Sequence, residues 1–234
     1  MKTEIFGIKF DDLTMEEAIE RIKGFLKDDR QHYIVLPYSE FVVRAQKDEE
    51  FRNILNSADF CLCESQGLYL TAKFLGKKIK EPINGVELIY KLKGKIFLFG
   101  GKDEVIKKVK EKLNSEVVGA ENGYQDSDKV IEKINKVKPD ILLVGLGSPK
   151  QERWIYGNLE KIPSVKVAIG VGGAFDFISN KIKRAPKFIQ RIGLEWLWRL
   201  ILQPRRIKRI FIAIGGLICL TFKNVIFLKS KGRE

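Results

Sequence analysis

Short apolar runs recur along the chain, each bounded by polar residues: "HYIVL" at 32–36, "DFCLC" at 59–63, "KIFLFG" at 95–100, "SEVVG" at 115–119, "DILLVG" at 140–145 and "VKVAIGVGG" at 165–173. Runs this short and this rich in Val and Ile predict strands buried on both faces. The segments between them carry helix signals. Thr14 and Glu17 form a capping box ahead of "AIERIKGFL", and Asp103 opens "EVIKKVKEKL". Strand and helix in alternation predict an α/β fold, a mostly parallel sheet with helices on both faces. No internal repeat or low-complexity linker breaks the pattern.

The 234 residues, 44% of them apolar, suit one α/β domain with an appendage. The net charge of +13 is unevenly placed. Residues 1–180 hold 29 basic against 28 acidic side chains, whereas residues 181–234 hold 14 against 2. This split divides an α/β domain over 1–180 from a basic helical appendage over 181–234 that is expected to meet an anionic partner. A lipid surface, a phosphorylated ligand and nucleic acid are the candidates. Nucleic acid is disfavoured, because no aromatic-basic stacking pattern or recognisable helix motif accompanies the charge. Three cysteines, with Cys61 and Cys63 on an apolar run, read as buried thiols of a reducing compartment. The N-terminus lacks a signal-like apolar stretch, so the chain is expected to stay where it is made.

In a Rossmann-like sheet the ligand lies at the carboxyl ends of the strands. Glycines stand at three such ends: Gly100 and Gly101, Gly145 and Gly147, and Gly170 with Gly172 and Gly173. They let the backbone approach a ligand and expose N–H groups to a diphosphate. The run "GLGSPK" is not a dinucleotide fingerprint, since Lys150 stands where the third glycine belongs, and no P-loop occurs. "DSD" at 126–128 has the form of a metal-binding pair, but Asp128 is expected to cap the helix that follows. His32, the one histidine, excludes a Ser-His-Asp triad and a multi-histidine metal site, and is expected to be a strand residue without a chemical duty.

Three linked segments carry more information: "GLGSPKQERW" at 145–154, "GVGGAFDFISNKIKRAP" at 170–186 and "GLEWLWRLILQPRRIKR" at 193–209. Together with "IFGIKFDDLTMEEAIERI", "AQKDEEFRNILNSADF" and "NGVEL", they resemble the TagA/WecG/CpsF family of bacterial glycosyltransferases across most of the chain. The resemblance implies an inverting, metal-independent transfer, without a cofactor, by a catalytic, nucleotide-sugar-binding domain over 1–180. A UDP-sugar, with N-acetylmannosamine or a related hexose, would be the donor, and a polyprenyl-diphosphate-linked saccharide of cell-envelope synthesis the acceptor. Its implied catalytic residues are Glu64, Gln151, Arg199, Arg206 and Arg209. For UDP-sugar binding it implies Gly101, Tyr124, Gly147, Lys150, Gly173 and Asp176. Tyr38 and Asn84 fall in the acceptor or sugar pocket. Guanidinium groups suit the task, because they offer paired donors to phosphate oxygens. The arginine spacing of seven and three would place all three on one face of a single helix.

Two departures bear on specificity. The family's proposed base is an aspartate, and Glu64 stands in its place within Cys63-Glu64-Ser65-Gln66-Gly67. Leu36-Pro37-Tyr38 replaces the family's usual Thr-Pro-Asn, so the sugar or acceptor is expected to differ. They also keep open a second reading, a non-catalytic nucleotide- or lipid-binding protein of the same fold. Near the end, "IFIAIGGLICLTF" at 210–222 is free of charge but shorter than the roughly 20 residues a span needs. Peripheral attachment at the cytoplasmic face of the membrane is the expectation, with basic residues on the headgroups, and a true span with Lys223 snorkelling stays open as the alternative. The apolar run "LEWLWRLIL" adds the expectation of a homo-oligomer, of a subunit number the sequence leaves open.

Overall fold

The computed structural model describes residues 2–186, 188, 189, 194–204 and 207–231, with the side chains of all but Arg199 and 227–231. Arg206 lies outside the described residues, as does the Arg199 side chain.

A hairpin opens the chain: β1 (Lys2–Ile5) pairs antiparallel with β2 (Ile8–Asp11). Its two turn residues, Phe6 and Gly7, both have positive φ, at 50° and 78°, the geometry of a two-residue hairpin turn. After α1 (Met15–Phe25) come β3 (His32–Val35), α2 (Ser39–Ala45), α3 (Glu49–Asn56), β4 (Phe60–Cys61), α4 (Gln66–Phe74) and α5 (Gly85–Lys91). Then follow β5 (Lys95–Gly100), α6 (Asp103–Lys112), β6 (Glu116–Glu121), α7 (Ser127–Val137), β7 (Ile141–Gly145), α8 (Lys150–Asn158), β8 (Val167–Gly170) and α9 (Ala174–Ile178). Two helices close the described chain, α10 (Glu195–Leu202) and α11 (Ile207–Lys231).

Each of the six apolar runs forms a strand of one sheet, ordered β4-β3-β8-β7-β5-β6, with every neighbouring pair parallel. Helices cover both faces and bury the strands, except that the edge strand β6, expected to be buried, is only half-buried because it has a neighbour on one side alone. In β5, Phe97 and Phe99 enter the apolar layer under α2, α3, α7 and α8, while Ile96 and Leu98 enter the layer under α1, α5, α6 and α9. That alternation is the period-two pleat acting on a run with no polar side.

The capping box forms as expected: Glu17 N donates to Thr14 Oγ1 and Thr14 N donates to Glu17 Oε2. The cap of α7 is a correction. Asp126, not Asp128, accepts from Asp128 N and Lys129 N, because a cap reaches amides two and three residues ahead. His32 is a fully buried strand residue at the sheet's amino edge, stacked on Phe25 at 3.8 Å. Cys61 and Cys63 are buried, and burial pushes both thiols above their usual range, whereas Cys219, on the outer side of the last helix, is exposed, contrary to the expectation of three buried thiols.

The expectation of one helix bearing three arginines is also corrected. Arg199 belongs to α10 and Arg209 to α11, with Gln203 and Pro204 between the helices. A proline ring and its missing N–H do not suit a helix interior. The final helix is longer than the uncharged run, since it takes in Lys208, Arg209 and Lys223 and reaches 25 residues. One of its faces lies on α2. Ala213 and Leu217 are buried there, and a Cβ on Gly216 would come within 2.6 Å of Val43.

Candidate active site

The carboxyl edge of the sheet forms a rim of loops. At one end of it, β4 runs into Glu64, whose backbone N donates to Pro37 O at 3.1 Å, tying the ends of β4 and β3 together. The half-buried Glu64 carboxylate accepts from Gly85 N at 3.2 Å, at the start of α5. A Cβ on Gly85 would stand 2.7 Å from Glu64 Oε1, so the glycine makes room for the longer glutamate side chain. Asn84 caps the same helix, its Oδ1 accepting from Val86 N and Glu87 N. Its side-chain oxygen therefore serves α5.

One residue beyond Pro37, the β3 loop receives the tail helix. Arg209 donates through Nε to Glu40 Oε2 at 2.5 Å and through Nη2 to the Tyr38 hydroxyl at 3.1 Å. Glu40, only 9% exposed, also meets Arg44 at 3.6 Å. Burial works against the Arg209 charge, but Tyr38 and Glu40 outweigh it and the guanidinium pKa is raised. A cation from the far end of the chain thus sits one loop away from Glu64.

The middle of the rim is built differently. Gln151, 1% exposed, accepts through Oε1 from Gly147 N at 3.2 Å and Gly172 N at 2.9 Å. With that oxygen occupied, its Nε2 donates to Glu152 Oε1 at 2.6 Å. Gln151 therefore ties the loop after β7 to the loop after β8, and the two glycine amides point inward at it. Glu152 is fully buried, and burial pushes its carboxyl up to about 7, partly offset by the Gln151 hydrogen bond. Below the rim Gly100 packs on Gly145 so closely that a Cβ would lie 2.4 Å from the Gly145 carbonyl carbon. Lys150, one residue before Gln151 at the first position of α8, is exposed. Gly173 precedes α9, and on that helix Asp176 pairs with Lys181 at 3.3 Å.

At the other end of the rim, Gly123 N donates to Gly101 O at 2.9 Å, joining β6 to β5. Tyr124 is 78% exposed and lines an open pocket of about 320 Å³ with Lys102, Asp103 and Glu104. Asp103 is held by Asn122 Nδ2 at 2.7 Å. An exposed ring beside carboxylates can stack on a base and accept from ribose hydroxyls.

The structure thus gathers Glu64, Tyr38, Asn84 and Arg209 near the β3 and β4 ends, and Gln151, Gly147, Lys150, Gly173 and Asp176 around β7 and β8. Gly101 and Tyr124 are at β5 and β6. Glu40, Asp103 and Glu152 are residues of the candidate site that sequence reasoning missed. A glutamate in "YSEF" or "KQERW" carries no sign of burial, and their partners stand 169 positions away in one case and one in the other.

The sequence model of the glycosyl transferase WecG/TagA/CpsF family matches residues 3–231. The N-acetylglucosaminyldiphosphoundecaprenol N-acetyl-beta-D-mannosaminyltransferase of Bacillus subtilis (strain 168) is 36% identical over 224 residues, covering 89% of this chain and 87% of the relative. A protein of the same name from Bacillus spizizenii is 33% identical over 198 residues, 79% of this chain and 77% of the relative. One from Staphylococcus aureus (strain NCTC 8325 / PS 47) is 30% identical over 224 residues, with 89% and 88% covered. With a family match that runs nearly end to end over the rim just described, this chain belongs to the WecG/TagA/CpsF family of glycosyl transferases.

Proposed function

We propose that this protein transfers N-acetylmannosamine or a related hexose from a UDP-sugar to a polyprenyl-diphosphate-linked saccharide, with inversion, at the cytoplasmic face of the membrane. The observation that carries the reading is the seat of Arg209 on Tyr38 and Glu40, one loop from Glu64. The names of the relatives, with an N-acetylglucosaminyl-diphosphoundecaprenol acceptor and a mannosaminyl group transferred, support the substrate class.

In this scheme the Glu64 carboxylate takes the proton of the acceptor hydroxyl as its oxygen attacks the anomeric carbon. The bond from that carbon to the diphosphate oxygen breaks on the opposite face, and UDP departs with the electron pair. Arg209 and Lys150 meet the developing charge, and the scheme gives Arg199 and Arg206 the same duty; these cationic side chains replace a metal ion. Tyr124 and the Asp103 carboxylate hold the nucleoside at the β5 and β6 ends, and Gly101, Gly173 and Asp176 complete that wall. Gln151 keeps the two middle loops in register, and Tyr38 with Asn84 borders the sugar.

The tail helix is assigned to the membrane interface. The 20 residues of Ile207–Ile226 are long and apolar enough to span, and only 11% of the most apolar stretch is buried. Crossing the bilayer would separate Arg209 from Glu40 and lift Gly216 off Val43. Lying flat preserves both contacts while Phe211, Ile212 and Ile226, each at least 64% exposed, enter the acyl boundary. Anionic headgroups would attract the basic residues by about 1 kcal/mol each near the surface.

The test is UDP release from UDP-N-acetylmannosamine by the full chain, with and without a polyprenyl-diphosphate-linked N-acetylglucosamine in anionic vesicles. Acceptor-stimulated release that survives a chelator is the expected result. Binding of the nucleotide sugar with no turnover on any lipid-linked saccharide would favour the non-catalytic alternative.

A further inference from the structure

The helices α4 and α11 lie side by side over residues 70–74 and 218–222. Between them runs a groove of about 370 Å³, lined by Leu70, Thr71, Phe74, Ile218, Thr221 and Phe222. Among the described residues, no charged side chain lines it. Phe74 is 71% exposed, Phe222 65%, Leu70 53% and Ile218 51%, so large apolar side chains from two helices flank an open trough. The Thr221 hydroxyl donates to Leu217 O at 2.7 Å, so its hydrogen is already engaged within its own helix. Such a surface has no use for a nucleotide or a saccharide. Its chemistry suits a hydrocarbon chain, and its volume falls within the ~300–1,000 Å³ usual for small-ligand sites.

The two walls of the trough start at the catalytic rim. Ser65, next to Glu64, caps α4 by accepting from Leu68 N at 3.2 Å. Arg209 lies in the first turn of α11 and is seated beside the β3 loop. The first turns of α2 and α4 also touch at the rim, where a Cβ on Gly67 would lie 3.7 Å from Ser39 Oγ. A ligand with an anionic head at Arg209 and a long apolar tail would therefore find, along the helices that carry Arg209 and Glu64, a path for the tail.

We propose that the α4–α11 groove binds the isoprene units nearest the diphosphate of the lipid-linked acceptor. This rests on the reading that the acceptor is polyprenyl-linked, and adds where its tail lies. A flat bilayer would be served by any apolar face, and the outer face of α11 already provides one. The concave trough beside it accounts for a single extended chain drawn out of the bilayer, with α11 serving as both anchor and wall.

The experiment has two readouts on the full chain. In the first, a diazirine-bearing polyprenyl diphosphate is photolysed with the protein in anionic vesicles. Label is expected in peptides covering residues 70–74 and 218–222, competed by unlabelled polyprenyl diphosphate, and reduced at least about tenfold in Thr71→Trp, which fills the trough from one wall. In the second, Thr71→Trp raises KM for a long-chain acceptor at least about tenfold, while KM for a short-chain, water-soluble acceptor and flotation with vesicles stay unchanged. Thr221→Trp fills the trough from the other wall and gives the same pattern if Thr71→Trp fails to fold. Label placed elsewhere, or an equal effect on both acceptors, overturns the proposal. So does a change of oligomeric state in place of a change in labelling, which assigns the trough to a second copy of the chain. Competed labelling of the groove without any sugar transfer would keep the tail site and defeat the catalytic reading instead.

Discussion

The middle of the candidate site and its β3–β4 end are built on opposite plans. Around β7 and β8 the parts come from nearby sequence and are buried: Gln151 clasps Gly147 and Gly172, and Glu152 clasps Gln151. At β3 and β4 the parts come from four distant segments and stand partly in solvent, with Arg209 reaching across 169 positions to Glu40. The middle of the rim is therefore preorganised by folding, whereas the proposed acceptor corner is complete only while α11 lies on α2. In the proposed scheme this division would give control, because contact of the tail with lipid would bear on one half of the site and leave the other intact.

The largest expected effect breaks the acceptor corner at its base. Glu64→Gln keeps the shape and the hydrogen bond from Gly85 N but removes proton uptake. Transfer should fall by roughly 10²–10⁴, with the melting temperature little changed; a near wild-type rate in a folded variant rejects Glu64 as the base. This test also bears on the second reading, in which Glu64 has no catalytic duty.

The buried corner is probed through pH. The Glu152 carboxyl is raised from 4.5 to about 7. Below pH 4.5 it is protonated in both folded and unfolded chains and costs nothing. Between about 4.5 and 7 stability is lost as pH rises, and above 7 the cost levels at about 3 kcal/mol, a tenfold change in proton affinity being worth about 1.4 kcal/mol. Glu152→Gln keeps an oxygen for Gln151 Nε2 and lacks this titration. Its stability relative to wild type should rise from pH 5 to pH 8 in denaturant melts. A pH-independent difference would contradict the buried, raised carboxyl.

A smaller effect is expected where α11 meets α2. Gly216→Val places carbon where Val43 already stands, and overpacking of this kind costs about 1–3 kcal/mol. Hydrogen exchange should quicken in residues 207–226 and leave β7 and β8 unaffected. Equal protection in both variant and wild type would mean that the helix does not need this contact.

Much of the scaffold was legible from hydrophobic runs, because a strand buried on both faces has no polar position to disguise it. Even the two-residue β4 stood out, carried by "DFCLC". The hairpin was not legible: its turn is Phe6-Gly7, and a phenylalanine at φ 50° gives none of the Asn-Gly or Asp-Gly signal. Spacing misled at the arginines, since periodicity assumes an unbroken helix and Pro204 stands between Arg199 and Arg209. Glycine placement pointed to the loops after β5, β7 and β8, but not to the direction of the Gly147 and Gly172 amides, which Gln151 draws inward. Burial of Glu40 and Glu152 is a property of the assembled rim, invisible in a string of letters where a charge reads as surface.

In the proposed scheme a guanidinium delivered by the tail helix completes the acceptor corner. The single-turnover rate of Arg209→Ala on vesicles, at saturating UDP-sugar and lipid-linked acceptor, reads that contribution alone. A fall of roughly 10²–10³ is expected, as for loss of a donor to developing charge, with vesicle flotation unchanged and only weak recovery in Arg209→Lys. A rate equal to that of the wild type would contradict the scheme.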